Sequence, residues 1–130
     1  MRIRKKKILI VEDQSVIAID LRKSLSKMGY IVVAISDNAE DAVSVVKECK
    51  PDLVLMDIML NGDKSGIEAA EIIRVERDIP IIYLTALTDV DTYLRAAKTE
   101  PYKYLMKPLE MESLERVIRE IFENTDSSMD

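Results

Sequence analysis

Apolar residues fall along this chain in five short runs, and residues at helical spacing follow each run. The runs are Ile8–Val11, Tyr30–Ile35, Leu53–Met56, Ile81–Leu84 and Tyr102–Met106. They are continuous rather than alternating and rich in Ile, Val, Leu and Tyr, as strands covered on both faces should be. After the first come Ile17, Leu21, Leu25 and Met28, with Gly29 where a C-terminal helix cap would stand. Ala39, Ala42, Val43 and Val46 follow the second run and end before Pro51, and a third helix is expected from Gly66 to about Arg77. Val90, Leu94 and Ala97 predict the buried face of a fourth helix, with Thr88 and Asp91 as its capping box. Leu114, Val117, Ile118 and Ile121 predict the fifth, supported by the i,i+4 pairs Glu112–Arg116 and Glu115–Arg119. Five strand–helix repeats imply parallel strands joined by right-handed crossovers, a doubly wound α/β sheet. One domain is expected over residues 1–124, with 125–130 a disordered tail or the start of a linker.

Charge sharpens this picture. The chain of 130 residues has a formal net charge of −5, but five of its 19 basic residues (Arg2, Arg4, Lys5, Lys6 and Lys7) sit in the first seven positions. The remainder holds 14 basic and all 24 acidic residues, a formal charge of −10. So acidic a body is a poor surface for nucleic acid, whose phosphates need a basic face. There is no histidine and only one cysteine, Cys49. That removes imidazole bases, Ser-His and Cys-His nucleophile pairs, thiolate metal clusters and any internal disulfide. The basic start leads into only four apolar residues before Glu12 and Asp13, so no secretory signal is expected. No stretch approaches the ~18 apolar residues of a membrane span, and a cytoplasmic protein without membrane contacts is expected.

In doubly wound sheets, ligands bind beyond the carboxyl ends of the strands. Glu12 and Asp13 follow the first run, Asp57 the third, Thr85 the fourth, and Lys107 with Pro108 the fifth. Ser36 and Asp37, after the second, are expected to serve only as helix caps. Each residue alone has a plain structural reading: helix-capping acids, a turn-forming Asp, a β-branched strand residue, a solvated Lys. Together, three carboxylates at one edge repel unless positive charge sits among them, which Lys107 and a divalent, oxygen-seeking ion would supply. With no His and no Cys nearby, Mg²⁺ suits such a set better than zinc or copper.

VEDQ (Val11 to Gln14), PDLVLMDI (Pro51 to Ile58), YLTA (Tyr83 to Ala86) and YLMKP (Tyr104 to Pro108) stand in this order along the chain. Together they resemble the response-regulator receiver domain of two-component signalling, over about Lys7 to Phe122. The resemblance implies a flavodoxin-like sheet with strand order 2-1-3-4-5. It implies Asp57 as phosphoacceptor, and Glu12, Asp13, Asp57 and the backbone carbonyl of Met59 as ligands of Mg²⁺. It implies Thr85 as switch hydroxyl, Lys107 as the family's invariant lysine with a cis bond to Pro108, and Tyr104 as the aromatic that moves on activation. Met59 and Leu87 would flank the path of the hydrolytic water. The chemistry agrees, because an aspartate carboxylate is ionised and nucleophilic at neutral pH without a general base, and phosphoryl transfer needs mainly positioning and charge neutralisation.

The implied partners are a sensor histidine kinase as phosphodonor and a downstream protein target, with phosphorylation-linked homodimerisation through the face of the fourth helix, fifth strand and fifth helix. Such a domain is not an enzyme beyond its own phosphoryl transfer and slow self-dephosphorylation. The loop Leu60 to Gly66 departs from the family pattern in lacking a Pro and in being one residue longer, and Glu100-Pro101 replaces a Gly-containing turn. The alternatives are a receiver-like module that binds without phosphorylation, or the receiver part of a larger sensor kinase.

Overall fold

The structure, a computed structural model, describes residues 5–60, 65–86 and 90–127. Five strands, β1 (Lys7–Val11), β2 (Ile31–Ser36), β3 (Leu53–Asp57), β4 (Ile81–Thr85) and β5 (Lys103–Met106), alternate with five helices. The helices are α1 (Ser15–Lys27), α2 (Ala39–Cys49), α3 (Gly66–Glu76), α4 (Val90–Ala97) and α5 (Met111–Ser127). All strand pairs are parallel and the order is β2-β1-β3-β4-β5, as expected.

Side-chain alternation explains the two layers of core. Leu9, Val11, Val54, Met56, Ile81 and Tyr83 face α2, α3 and Ala96 of α4. Their neighbours Ile8, Ile10, Leu53, Leu55, Ile82 and Leu84 face α1 and α5. Helices therefore cover both faces of the three central strands, which is why those runs read as continuously apolar. The outer strands differ from that expectation: β2 and β5 are largely half-buried, with Ile31 and Met106 exposed, because an edge strand has a neighbour on one side only.

Local signals end and start the helices. Gly29, at φ +96, closes α1 with bonds from the Gly29 N–H to the Ser26 carbonyl and from the Tyr30 N–H to the Leu25 carbonyl, a complete Schellman motif. The cap of α2 is Asn38, whose side chain accepts from the Asp41 N–H. Ser36 and Asp37 are thus not its caps: Ser36 is the buried last residue of β2, and Asp37 accepts from the Asn38 amide. A capping box forms at α3, between Ser65 and Glu68. The one expected from Thr88 lies outside the described residues.

Two expectations about helices need correction. In α4, Val90, Leu94 and Ala97 are exposed and Ala96 is the buried residue, so the apolar stripe read from the sequence faces away from the sheet. The i, i+3, i+4 spacing is that of an amphipathic helix, but spacing alone does not say which neighbour the stripe meets. In α5, Leu114, Val117, Ile118 and Ile121 are buried as expected, and the Arg119 guanidinium bonds the Glu115 carboxylate. The helix continues to Ser127, into the segment expected to be disordered, since neither Gly nor Pro interrupts it.

Candidate functional site

Glu12, Asp13, Asp57, Thr85 and Lys107 come together at the carboxyl edge of the sheet. One carboxylate oxygen from each of Glu12, Asp13 and Asp57 lies within 4.8 Å of the others. Glu12 and Asp57 are buried and Asp13 is half-buried. Lys107 reaches into the group from the β5–α5 connection: its Nζ donates to Asp57 Oδ2 at 2.9 Å and to Glu12 Oε2 at 3.0 Å. This lysine is therefore not the solvated surface residue of the plain reading. It supplies the positive charge that adjacent buried carboxylates require.

Backbone geometry aims each group. The Glu12 N–H donates to the Ser36 carbonyl of β2, and Glu12 Oε1 accepts from the Gln14 N–H at 3.1 Å, at the start of α1. Gln14 makes no side-chain cap of its own, so Glu12 serves the helix end as well as the cluster. Asp57 Oδ1 accepts from the Met59 N–H at 3.0 Å, an Asx-type turn that leaves Oδ2 for Lys107. Each acid thus makes a local turn or helix-end contact and also stands in the cluster.

Thr85 is buried at the end of β4, and its carbonyl accepts from the Lys107 N–H at 2.8 Å. The Lys107–Pro108 bond is cis, as the resemblance implied. Ala86 and the Met59 side chain are exposed; Leu87 lies outside the described residues.

Electrostatics follow from this arrangement. Burial pushes the Glu12 carboxyl above its ordinary value and the charge of Asp57 acts in the same direction, against the hydrogen bond from Lys107. Burial alone would lower the Lys107 ammonium, but its bonds to Asp57 and Glu12 and their charges outweigh it and hold the group above its ordinary value. Three carboxylates without nitrogen or sulfur ligands form a donor set that fits a hard divalent cation.

The sequence did not reveal three further contributors. Gly66 lies so close to Asp57 that a β-carbon there would stand 2.1 Å from the Asp57 carbonyl oxygen. Tyr83, under the site, stacks on Tyr104 with ring centroids 5.8 Å apart. Tyr93 of α4 also lies against Tyr104, with ring centroids 4.8 Å apart. Tyr83 carried a signal that went unused: a phenol inside an apolar central run must find a hydroxyl partner.

Comparison with known proteins agrees with the fold and gives the family. The family described as response regulator receiver domain matches residues 8–119. A probable transcriptional regulator, ycf27 of Cyanophora paradoxa, is 37% identical over 127 residues, covering 98% of this chain and 52% of its own length. The transcriptional regulatory protein PdtaR of Mycobacterium tuberculosis is 36% identical over 109 residues, covering 84% of this chain and 53% of that protein. The signal receiver domain of a modulated diguanylate cyclase from Desulfovibrio desulfuricans superposes with a TM-score of 0.88 at 36% identity, covering 96% and 99% of the two chains. This chain belongs to the response-regulator receiver domain family. It spans about half the length of the curated relatives it matches.

Proposed function

We propose that this domain is a phosphorylation-operated switch, covering residues 1–124, in which Asp57 takes a phosphoryl group from the phosphohistidine of a sensor histidine kinase. The observation that carries the reading is the place of Lys107 Nζ, between Asp57 and Glu12 within a three-carboxylate cluster. An Asp57 oxygen attacks phosphorus, the bond from phosphorus to the donor nitrogen breaks, and an acyl phosphate remains on the aspartate. Lys107 pairs with the phosphoryl oxygens as charge builds on them, and the Thr85 hydroxyl donates to one of them. Mg²⁺ bound by Glu12, Asp13, Asp57 and the Met59 carbonyl would supply the remaining positive charge. Beyond this self-directed transfer and a slow hydrolysis, the domain catalyses nothing.

The output follows from the neighbours of Thr85. A shift of its hydroxyl toward the phosphoryl group opens space beside Tyr104, whose ring is flanked by Tyr83 and Tyr93. Val90, Tyr93 and Leu94 of α4 and Met106 of β5 are exposed together on the surface that would then change. We assign that α4–β5–α5 face to a downstream protein target or to a second copy of the chain. A cytoplasmic setting, where kinase and domain meet, completes the reading.

Treatment with acetyl phosphate and Mg²⁺, followed by intact-mass measurement, tests it. One added phosphoryl is expected, lost in Asp57→Asn and on chelation. A module that only binds would gain none, and undiminished labelling of Asp57→Asn would reject Asp57 as the acceptor.

A further inference from the structure

Four of the five helices lie broadly on the sheet, but α4 does not. It buries a single residue, Ala96, whereas α1 and α2 bury three each and α3 five. An open groove of about 730 Å³, lined by Glu71 and Arg74 of α3, by Asp78 beyond it and by Arg95, Lys98 and Thr99, separates α4 from α3. Specific bonds, rather than apolar area, must therefore locate this helix.

Several such bonds stand at its C-terminal end. The buried Thr99 hydroxyl donates to the Ala96 carbonyl at 2.7 Å and lies 2.7 Å from the Tyr83 hydroxyl. A threonine has one hydroxyl proton, already given to Ala96, so Tyr83 is the donor to Thr99. The Ala96 carbonyl also accepts the Thr99 N–H at 3.0 Å, which closes the turn. Independently, the Arg74 guanidinium of α3 donates to the Glu100 carbonyl at 3.3 Å, and Glu100 is held at a positive φ of 52. From its middle, α4 touches the sheet through Tyr93 on Tyr104, and Tyr104 in turn lies on Tyr83. The Tyr104 hydroxyl is buried with no hydrogen-bond partner among the described residues, so packing and ring stacking hold that side chain.

We infer that Tyr83 is a positioning residue that moors the C-terminal turn of α4 through Thr99, so that a movement of Tyr104 reaches α4 as a pivot about Thr99–Glu100. The inference rests on the switch reading above and adds the fixed point that reading lacks. A helix held at its last turn and stacked at its middle can shift its exposed Val90, Tyr93 and Leu94 while that turn stays in place. Tyr83 both bonds the mooring and stacks on the moving ring, two residues along β4 from Thr85.

Amide hydrogen exchange, read residue by residue by NMR, tests the mooring in the unphosphorylated protein. Tyr83→Phe, which keeps the ring and removes the donor, is expected to speed exchange of the Leu94–Thr99 amides roughly tenfold, as loss of one buried hydrogen bond implies. Amides of β1 and β3 should change less than twofold. Thr99→Val should reproduce the effect and Thr99→Ser should restore wild-type protection. Unchanged α4 exchange in Tyr83→Phe, or an equal rise in β1 and β3, would overturn the inference and leave Tyr83 an ordinary core residue.

A second measurement adds acetyl phosphate and Mg²⁺, with the phosphoryl counted by intact mass in the same samples. In the wild type, Tyr93 and Tyr104 signals should shift while Thr99 signals hold; in Tyr83→Phe, Thr99 should shift with them. A phosphorylated Tyr83→Phe protein with stationary Thr99 signals contradicts the pivot but not the switch. A wild type that takes up no phosphoryl contradicts both.

Discussion

The carbonyl oxygen of Asp57 occupies the space that a side chain on Gly66 would need. A β-carbon built on Gly66 would stand 2.1 Å from that oxygen and 3.0 Å from the Met56 side chain. The Gly66 N–H also donates to the Ile58 carbonyl at 2.8 Å, so the start of α3 clasps the end of β3. Gly66→Ala must push that backbone apart. It is expected to cost about 1–3 kcal/mol of stability, and to slow acetyl-phosphate labelling of Asp57 by moving the carboxylate away from Lys107. Urea unfolding and labelling rates check this; wild-type behaviour in both would show that the backbone yields freely.

Among the described residues, Lys107 is the one cation that pairs with both buried acids, and removing it exposes their repulsion. Lys107→Ala leaves Glu12 and Asp57 uncompensated, at an expected cost of about 1–3 kcal/mol near neutral pH. The Glu12 carboxyl, already raised above 4.5 by burial, should rise further. A carboxyl whose folded pKa is raised holds its proton more tightly folded than unfolded, so stability falls as pH climbs from 4.5 through the raised value. The variant should therefore lose more stability than the wild type does as pH rises above 4.5. Mg²⁺ should restore more of it in the variant than in the wild type. Equal urea midpoints with Mg²⁺ and with chelator in Lys107→Ala would show that no cation enters this cluster.

Tyr83 gives a second pH signature. Burial pushes its phenol up to about 12. Because the folded value lies above the ordinary 10.0, the stabilisation is complete below pH 10 and is lost as pH rises toward 12. The loss should approach about 1.4 kcal/mol per pH unit in that window. Tyr83→Phe should flatten this slope, and the ultraviolet titration difference between the two proteins should isolate one phenol ionising near 12. A phenol that titrates with the exposed tyrosines would contradict the burial of this hydroxyl.

Much of this site was legible in the sequence because its residues stand at fixed places, the ends of strands whose apolar runs are unmistakable. Glu12, Asp13, Asp57, Thr85 and Lys107 each follow such a run, and parallel topology brings those ends to one edge. The outward stripe of α4 was not legible, since Val90, Leu94 and Ala97 have the same periodicity whether they meet the sheet or solvent. Nor was the bond between Tyr83 and Thr99, which are 16 residues apart and meet only after β4 and α4 pack. The extent of α5 to Ser127 escaped because polar residues such as Asn124 and Thr125 weaken the pattern without breaking the helix.

Tyr104 carries a buried hydroxyl with no hydrogen-bond partner among the described residues. Removing an unsatisfied polar atom should not destabilise, so Tyr104→Phe is expected to be neutral or stabilising by up to about 1 kcal/mol. The ring stacks on Tyr83 and Tyr93 should survive. A urea midpoint clearly below wild type would mean that the hydroxyl does useful bonding in solution.

Everything proposed for this domain turns on a covalent bond at Asp57, and borohydride trapping reads that bond at residue resolution. Hydride reduces an acyl phosphate to an alcohol, so a phosphorylated aspartate becomes homoserine, which peptide mass spectrometry locates. After acetyl phosphate and Mg²⁺, homoserine is expected at position 57 and at no other aspartate, and at none in Asp57→Asn or with chelator. Reduction at another carboxylate, or an unreduced Asp57 in protein that has gained a phosphoryl, would contradict the assignment.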